Sequence, residues 1–326
     1  MEYIYLFFIS IIIFILAFFY HRLLVSNTKT FTKLLPIFIF ILIVAVSSFL
    51  NPKNTSEKNI INPVGEIAQS QTKPDKKSEE LEKIIQSELE DTNGTYAVVI
   101  KNLKTDEHYY FNENSKFDSA SLYKLWVMGA VFKEIENEKL RLDQNIGFDA
   151  ITINERLNIA SESAEISEGF VGNTVEGALT RMITISDNYS AHILYLTIGW
   201  SKVGDFLKEY NLTNSSTDTM TTTALDTANY FEKLYRGEIV NKIYSDEMLE
   251  ILKKQELNDR IPKYLPEGTI VAHKTGELGA VKHNAGIVYS PTGDYIIVLL
   301  SETNSQTTAA EIEAKISEKV WEYFNN

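Results

Sequence analysis

Two stretches near the start, residues 3–20 "YIYLFFISIIIFILAFFY" and 34–50 "LLPIFIFILIVAVSSFL", run for 18 and 17 positions without a charge. Each reaches the lower end of the length at which a helix crosses hydrocarbon. The segment between them, "HRLLVSNTKTFTK", carries Arg22, Lys29 and Lys33 and no acid. That bias marks it as a cytoplasmic loop and sets both ends of the hairpin outside. Residues 1–50 therefore read as a membrane anchor of two transmembrane helices, with a cleaved leader ending near "AVSS" as the rival reading. Over residues 51–77 the pattern dissolves into Asn, Lys, Ser, Gln and Pro, the composition of a flexible linker reaching several tens of ångströms.

Periodicity returns at residue 78. In "SEELEKIIQSELE", Leu81, Ile84, Ile85 and Leu89 fall at helical spacing. "TYAVVIKNL" and "EHYYFN" read as strands joined by a turn around Lys104, Thr105 and Asp106. Helical patterns follow over 121–138, 174–185, 189–209, 223–236 and 245–255. "GTIVAHKTGE", "NAGIVYS" and "YIIVLLSE" are strands again, with "SPTGD" turning between the last two, and "TAAEIEAKISEKVWEYF" closes as an amphipathic helix. The order predicts a mixed α/β (α+β) domain over 78–326. Its antiparallel sheet, built from both ends of the segment, is flanked by the N- and C-terminal helices, and an all-helical lobe is inserted between its halves. A cleft beside that insertion is the natural place for a site.

Composition narrows the function. Of 326 residues 44% are apolar, enough for a core beyond the anchor, and the formal net charge of −13 repels nucleic acid. The absence of cysteine excludes disulfides, thiolate catalysis and cysteine-ligated metals. The five histidines (His21, His108, His192, His273, His283) form no HExxH or H-x-H pattern, so no metal or other cofactor is expected.

Ser-x-x-Lys occurs three times, at Ser26/Lys29, Ser70/Lys73 and Ser121/Lys124. The first two fall in the loop and the linker. The third opens a helix followed by "LWVMGAVF", and on a helix its two side chains share a face. A serine hydroxyl becomes a useful nucleophile when a base takes its proton, and a lysine serves as that base when burial or a second cation lowers its pKa. "SDN" at 186–188 places Ser186 and Asn188 on a connection between helices, and "KTG" at 274–276 ends a strand with a cation, a hydroxyl and an open backbone edge. Each motif alone also has a plain structural reading, as a helix cap or a strand-end turn.

Together and in this order, S-x-x-K, S-D-N and K-T-G resemble the set carried by class A β-lactamases and penicillin-binding serine hydrolases. The resemblance covers residues 78–326, including "TVEGALTRMITISDN" and "HKTGELGAVKHNAGIVYSPTGDYIIVLL"; "TTTALDTANYFEKL" at 221–234 is similar to the segment after the Ω-loop. It implies Ser121 as the acylated nucleophile, Lys124 as its base and Ser186 as a proton shuttle to the leaving nitrogen. It further implies Asn188 holding the substrate's side-chain amide, Lys274 and Thr275 facing its carboxylate, and Lys274 helping to keep Lys124 neutral. The backbone N–H groups of Ser121 and Glu277, the residue after Gly276, would form the oxyanion hole. Asp187 would brace its loop.

One departure stands out. No E-x-x-L-N occurs between Asn188 and residue 221, where Glu209 is the sole glutamate and is expected at a helix end. Glu162, Glu165 and Glu168 in "SESAEISEGF" are expected to be solvated surface, and His192 and His273 to be structural. Three functions stay open: a β-lactamase-like hydrolase, a D,D-peptidase (carboxypeptidase or endopeptidase) acting on peptidoglycan, or a slow-deacylating β-lactam sensor. The partner is accordingly a small-molecule β-lactam or a peptidoglycan stem peptide, met by an extracytoplasmic domain at the cell membrane.

Overall fold

The C-terminal strands are buried at nearly every position, polar residues included, because both faces of their sheet are covered. A computed structural model describes residues 78–326; the two apolar runs at 3–20 and 34–50 and the linker at 51–77 lie outside the described residues. Five strands follow the order β2 (His108–Phe111), β1 (Thr95–Asn102), β9 (Tyr295–Glu302), β8 (Val281–Val288), β7 (Val271–Leu278), each antiparallel to its neighbour. The two ends of the segment thus meet where β1 pairs β9, with Val99 opposite Val298. Strand alternation then sorts the side chains. Tyr96, Val98 and Ile100 join Tyr295, Ile297 and Leu299 under α1 (Glu79–Leu89) and α9 (Gln306–Asn325). Ala97 and Val99 join Ile296, Val298 and Leu300 in the larger core on the opposite face. Ser78 caps α1 by accepting from Leu81 N–H at 3.3 Å, a bond worth about 1 kcal/mol.

That larger core is centred on α2 (Tyr123–Glu136), in which Leu125, Val127, Met128, Val131 and Phe132 are all buried. A helix apolar on every side belongs in the middle of a domain. Around it lie α3 (Ala150–Arg156), α4 (Val175–Thr184), α5 (Asn188–Ile198), α6 (Trp200–Glu209), α7 (Ala224–Tyr235) and α8 (Lys242–Leu252). Gly129 lets α6 come close: a Cβ there would sit 2.3 Å from the Phe206 ring. Among the described residues no helix is long and apolar enough to cross a membrane.

The single helix expected over 189–209 is two. Gly199, at φ +89, caps α5 through its N–H to Tyr195 O at 2.9 Å and turns the chain into α6, a conformation L-residues rarely adopt. Two short strand pairs not expected from the sequence lie outside the five-stranded sheet. β3 (Phe117–Asp118) pairs β6 (Thr221–Thr222), and β4 (Asn145–Asp149) pairs β5 (Phe170–Thr174). The first pair is held from behind. Buried Asp226 accepts from the N–H groups of Asn214 and Ser215 at 2.8 and 2.7 Å and from Ser215 Oγ at 3.0 Å, folding the short 210–220 connection back on α7.

Candidate active site

Ser121 stands not on α2 itself but on the single 3₁₀ turn Ala120–Leu122 that leads into it. The turn is pinned from three directions. Ser119 N–H donates to Met220 O at 2.7 Å, Asp118 Oδ1 accepts from Ala120 N–H at 2.8 Å, and His283 Nε2 donates to Asp118 O at 2.8 Å. Ala120 is forced to φ +42 to make the turn, a conformation persisting only where its surroundings over-determine it. The neighbouring Leu122 packs against β7: a Cβ on Gly276 would lie 3.3 Å from Leu122 Cγ. The glycine of the K-T-G motif therefore lets the strand edge approach the Ser121 turn. β7 is the outer strand of the sheet, so one of its backbone edges has no strand partner.

Lys124 is fully buried, and its Nζ donates to Ser186 O, to Asn188 Oδ1 at 2.8 Å and to Ser186 Oγ at 3.2 Å. Lys274 reaches the same hydroxyl from β7, with Nζ 3.0 Å from Ser186 Oγ and 2.8 Å from Thr275 O. One hydroxyl thus accepts from two lysines. Ser186 holds this position at φ +59, just before α5. Asp187 is the N-cap of that helix: its carboxylate accepts from Ser190 N–H at 2.6 Å and from Arg181 at 3.0 Å, which makes it the brace expected from the sequence. Asn188 is not on a free connection but is the first residue of α5. Ser121 Oγ makes no hydrogen bond among the described residues.

Burial sets the electrostatics. It lowers Lys124 to about 8, with the charges of Asp187 and Glu165 pulling partly back up. It lowers Lys274 well below the usual lysine range, helped by the Lys124 and Arg260 charges. The repulsion acts on both members of the pair, so adding a proton to one disfavours adding a proton to the other. His192, driven down to about 4 by burial and by the Lys124 charge, stays neutral, and so does buried His273, lowered to about 3. No group of three or more His, Asp or Glu side chains able to hold a metal converges among the described residues.

Two contributors escaped sequence reading. Glu165 is exposed, as expected, yet its Oε1 accepts from Asn188 Nδ2 at 2.7 Å. Nothing in "SESAEISEGF" separates it from Glu162 or Glu168. Arg260, 2% exposed, donates to His283 O and to Glu277 Oε2, both at 2.9 Å, and Lys282 binds the same carboxylate oxygen at 2.5 Å. These cations hold the end of β7 that carries Gly276 and Glu277. A lone arginine in a polar segment gives no sign of this. Glu209 ends α6 as expected and pairs with Lys133 at 2.9 Å. A cleft of about 400 Å³ opens beside Tyr123, lined also by Leu157, Tyr195, Trp200 and Met220.

Comparison with known proteins matches this arrangement to a class: residues 79–324 fit the model of the beta-lactamase enzyme family, and the chain belongs to that family. Beta-lactamase VEB-1 of Pseudomonas aeruginosa is 26% identical over 273 residues, covering 74% of this chain and 89% of that protein. The extended-spectrum beta-lactamase PER-1 of the same organism is 23% identical over 238 residues, covering 65% and 76%. Among solved structures PBP-A superposes with a TM-score of 0.68 at 22% identity, covering 77% of this chain and 98% of that one. The TLA-1 extended-spectrum beta-lactamase gives 0.66 at 22% identity, covering 76% and 99%. A further PBP-A structure, of a point mutant, is an acyl-enzyme complex with penicillin G. These structural likenesses establish the beta-lactamase-like mixed α/β fold.

Proposed function

We propose that this chain is a serine hydrolase that forms an acyl-enzyme on Ser121 with β-lactams or related amides. The observation that carries the reading is the convergence of Lys124, Lys274 and Asn188 on and around Ser186, next to the pinned Ser121 turn. In the charged form, the three N–H groups of Lys124 fill three acceptors. Loss of one proton leaves a lone pair able to take the Ser121 proton, directly or through Ser186. Ser121 Oγ then bonds to the substrate carbonyl carbon, and the oxyanion falls to the N–H groups of Ser121 and Glu277. The C–N bond breaks, the leaving nitrogen takes its proton from Lys124 by way of Ser186, and water later releases the acyl group. A substrate carboxylate docking beside Lys274 favours its charged form, so Lys274 supplies the cation and Thr275 the hydroxyl, with Asn188 giving an amide N–H for the substrate's side chain. An oxyanion donor of this kind contributes about 3–4 kcal/mol to the transition state.

The connection between α6 and β6 favours slow release. It spans residues 210–220 and holds no glutamate; its one acid, Asp218, is exposed. Fast class A deacylation uses a glutamate at this place, so a D,D-peptidase acting on a stem peptide is the second reading. The charge-free runs at 3–20 and 34–50 and the linker at 51–77 support a catalytic unit tethered outside the cell membrane, within reach of such a wall peptide.

Stopped-flow mixing of the full chain with a chromogenic cephalosporin tests the reading. The expected trace is a burst of one equivalent followed by slow turnover, lost in Ser121→Ala. Rapid linear turnover with no burst would show that another group activates water. No Ser121-dependent signal with several β-lactams would overturn the assignment.

A further inference from the structure

The acidic stretch before α4 does more than solvate the surface. Asn188 has both ends of its amide engaged: Oδ1 accepts from Lys124 Nζ at 2.8 Å, and Nδ2 donates to Glu165 at 2.7 Å. An amide NH₂ has two hydrogens, so this bond leaves one for a substrate carbonyl while fixing the rotation of the group. Unclamped, the amide could turn over and present Nδ2 to the Lys124 ammonium, where donor would meet donor.

The loop is built to present this carboxylate. Its next residue, Ile166, is gripped through both backbone groups by the residue that follows Asn188. Ile166 N–H donates to Tyr189 Oη at 3.1 Å, and Ile166 O accepts from Tyr189 Oη at 2.9 Å and from Asn154 Nδ2 at 2.9 Å. Tyr189 and Asn154 are both buried, 2.8 Å from one another. Two adjacent residues of α5 therefore hold two adjacent residues of the loop. Glu162, Glu165 and Glu168 are all exposed, and what sets Glu165 apart is its bond to Asn188 and the anchored backbone beside it.

We propose that Glu165 is a positioning residue for acylation: it locks the Asn188 amide so that its oxygen faces Lys124 and its second N–H faces the substrate's amide carbonyl. This rests on the acyl-enzyme reading above. The carboxylate also faces Lys124 across Asn188, in a setting completed by Asp187, His192 and Lys274, so removing its charge has a separate consequence.

The test compares the full chain with Glu165→Ala and Glu165→Gln, using penicillin G and the penicillin nucleus bearing a free amine in place of the side-chain amide. With penicillin G, Glu165→Ala is expected to acylate about tenfold more slowly, the worth of one charged hydrogen bond. The amide-free nucleus is expected to change by less than ~3-fold, because it makes no demand on Nδ2. Glu165→Gln keeps an acceptor and is expected to retain most of the penicillin G rate. In both variants the acid limb of acylation against pH moves to lower pH, since an anion that favours the Lys124 ammonium is gone. Equal loss on both probes with an unmoved acid limb, or no change at all, would overturn the proposal. If the parent chain takes no label, the acyl-enzyme reading fails and this inference with it; a labelled parent with unchanged variants sinks the inference alone.

Discussion

At the scale of single residues, the proposed acylation depends on Lys124 being both buried and solvated by protein. Its three acceptors replace water, yet burial still holds its pKa near 8, below the ordinary 10.5. Acylation by the neutral amine should therefore rise with pH through about 8, read as the acid limb of the acylation rate. Stability carries the same sign. Between about 8 and 10.5 the unfolded chain binds a proton that the folded chain does not, so this group makes folding more favourable as pH rises across that window. Denaturant unfolding of Lys124→Met should lack that rise, while acylation is lost. The two motif lysines were readable from the sequence as a pair of cations. Their common acceptor was not, because which oxygen sits between them depends on the φ +59 turn at Ser186.

At the scale of elements, the Ser121 turn is a small object held by larger ones. Gly129 on α2 and the Asp226 cap under the 210–220 connection are two of its supports. Gly129→Ala gains about 1 kcal/mol of helix propensity but places a methyl 2.3 Å from the Phe206 ring. Overpacking costs about 1–3 kcal/mol, so the net expectation is a modest loss, seen as a lowered urea midpoint. Asp226→Asn leaves buried N–H groups of Asn214 and Ser215 with a weaker acceptor. It should cost about 1.5–3 kcal/mol and slow acylation as well, because the same segment leads to Met220 O, which holds Ser119. Unchanged stability in either variant would show that these contacts are not supports.

The four eight-residue strands and most of the helices were legible because each spans enough residues for its pattern to show, and four-residue β2 was legible from its run of aromatics. β3 and β6, of two residues each, carry no period, and their pairing is fixed by contacts distant in sequence. The motifs singled out Ser121, Lys124, Ser186 and Lys274 because order and residue type sufficed to bring them under one reading, and the structure draws Lys124 and Lys274 onto Ser186. Glu165 and Arg260 act through partners that only the fold brings near.

At the scale of the whole molecule, the domain keeps several ionisable groups neutral in its interior. Burial lowers His273 to about 3 and His283 to about 4, and raises Glu313 well above the usual carboxyl range. Below the ordinary histidine value of 6.5 the unfolded chain takes up protons that His273 and His283 refuse, which lowers stability as pH drops toward 4, while Glu313, protonated only in the folded chain, opposes this above about 4.5. Denaturation midpoints of Glu313→Gln, which removes the opposing group, should decline across that range, whereas a flat profile in that variant would contradict the buried neutral histidines. The proposed function turns on one event, acylation of Ser121. The most direct test is intact-mass measurement after brief exposure of the full chain to penicillin G, followed by peptide mapping. The account predicts a single adduct of one whole penicillin, since ring opening expels nothing, located on the peptide containing Ser121 and absent from Ser121→Ala. No adduct, or an adduct that survives the substitution, would contradict it.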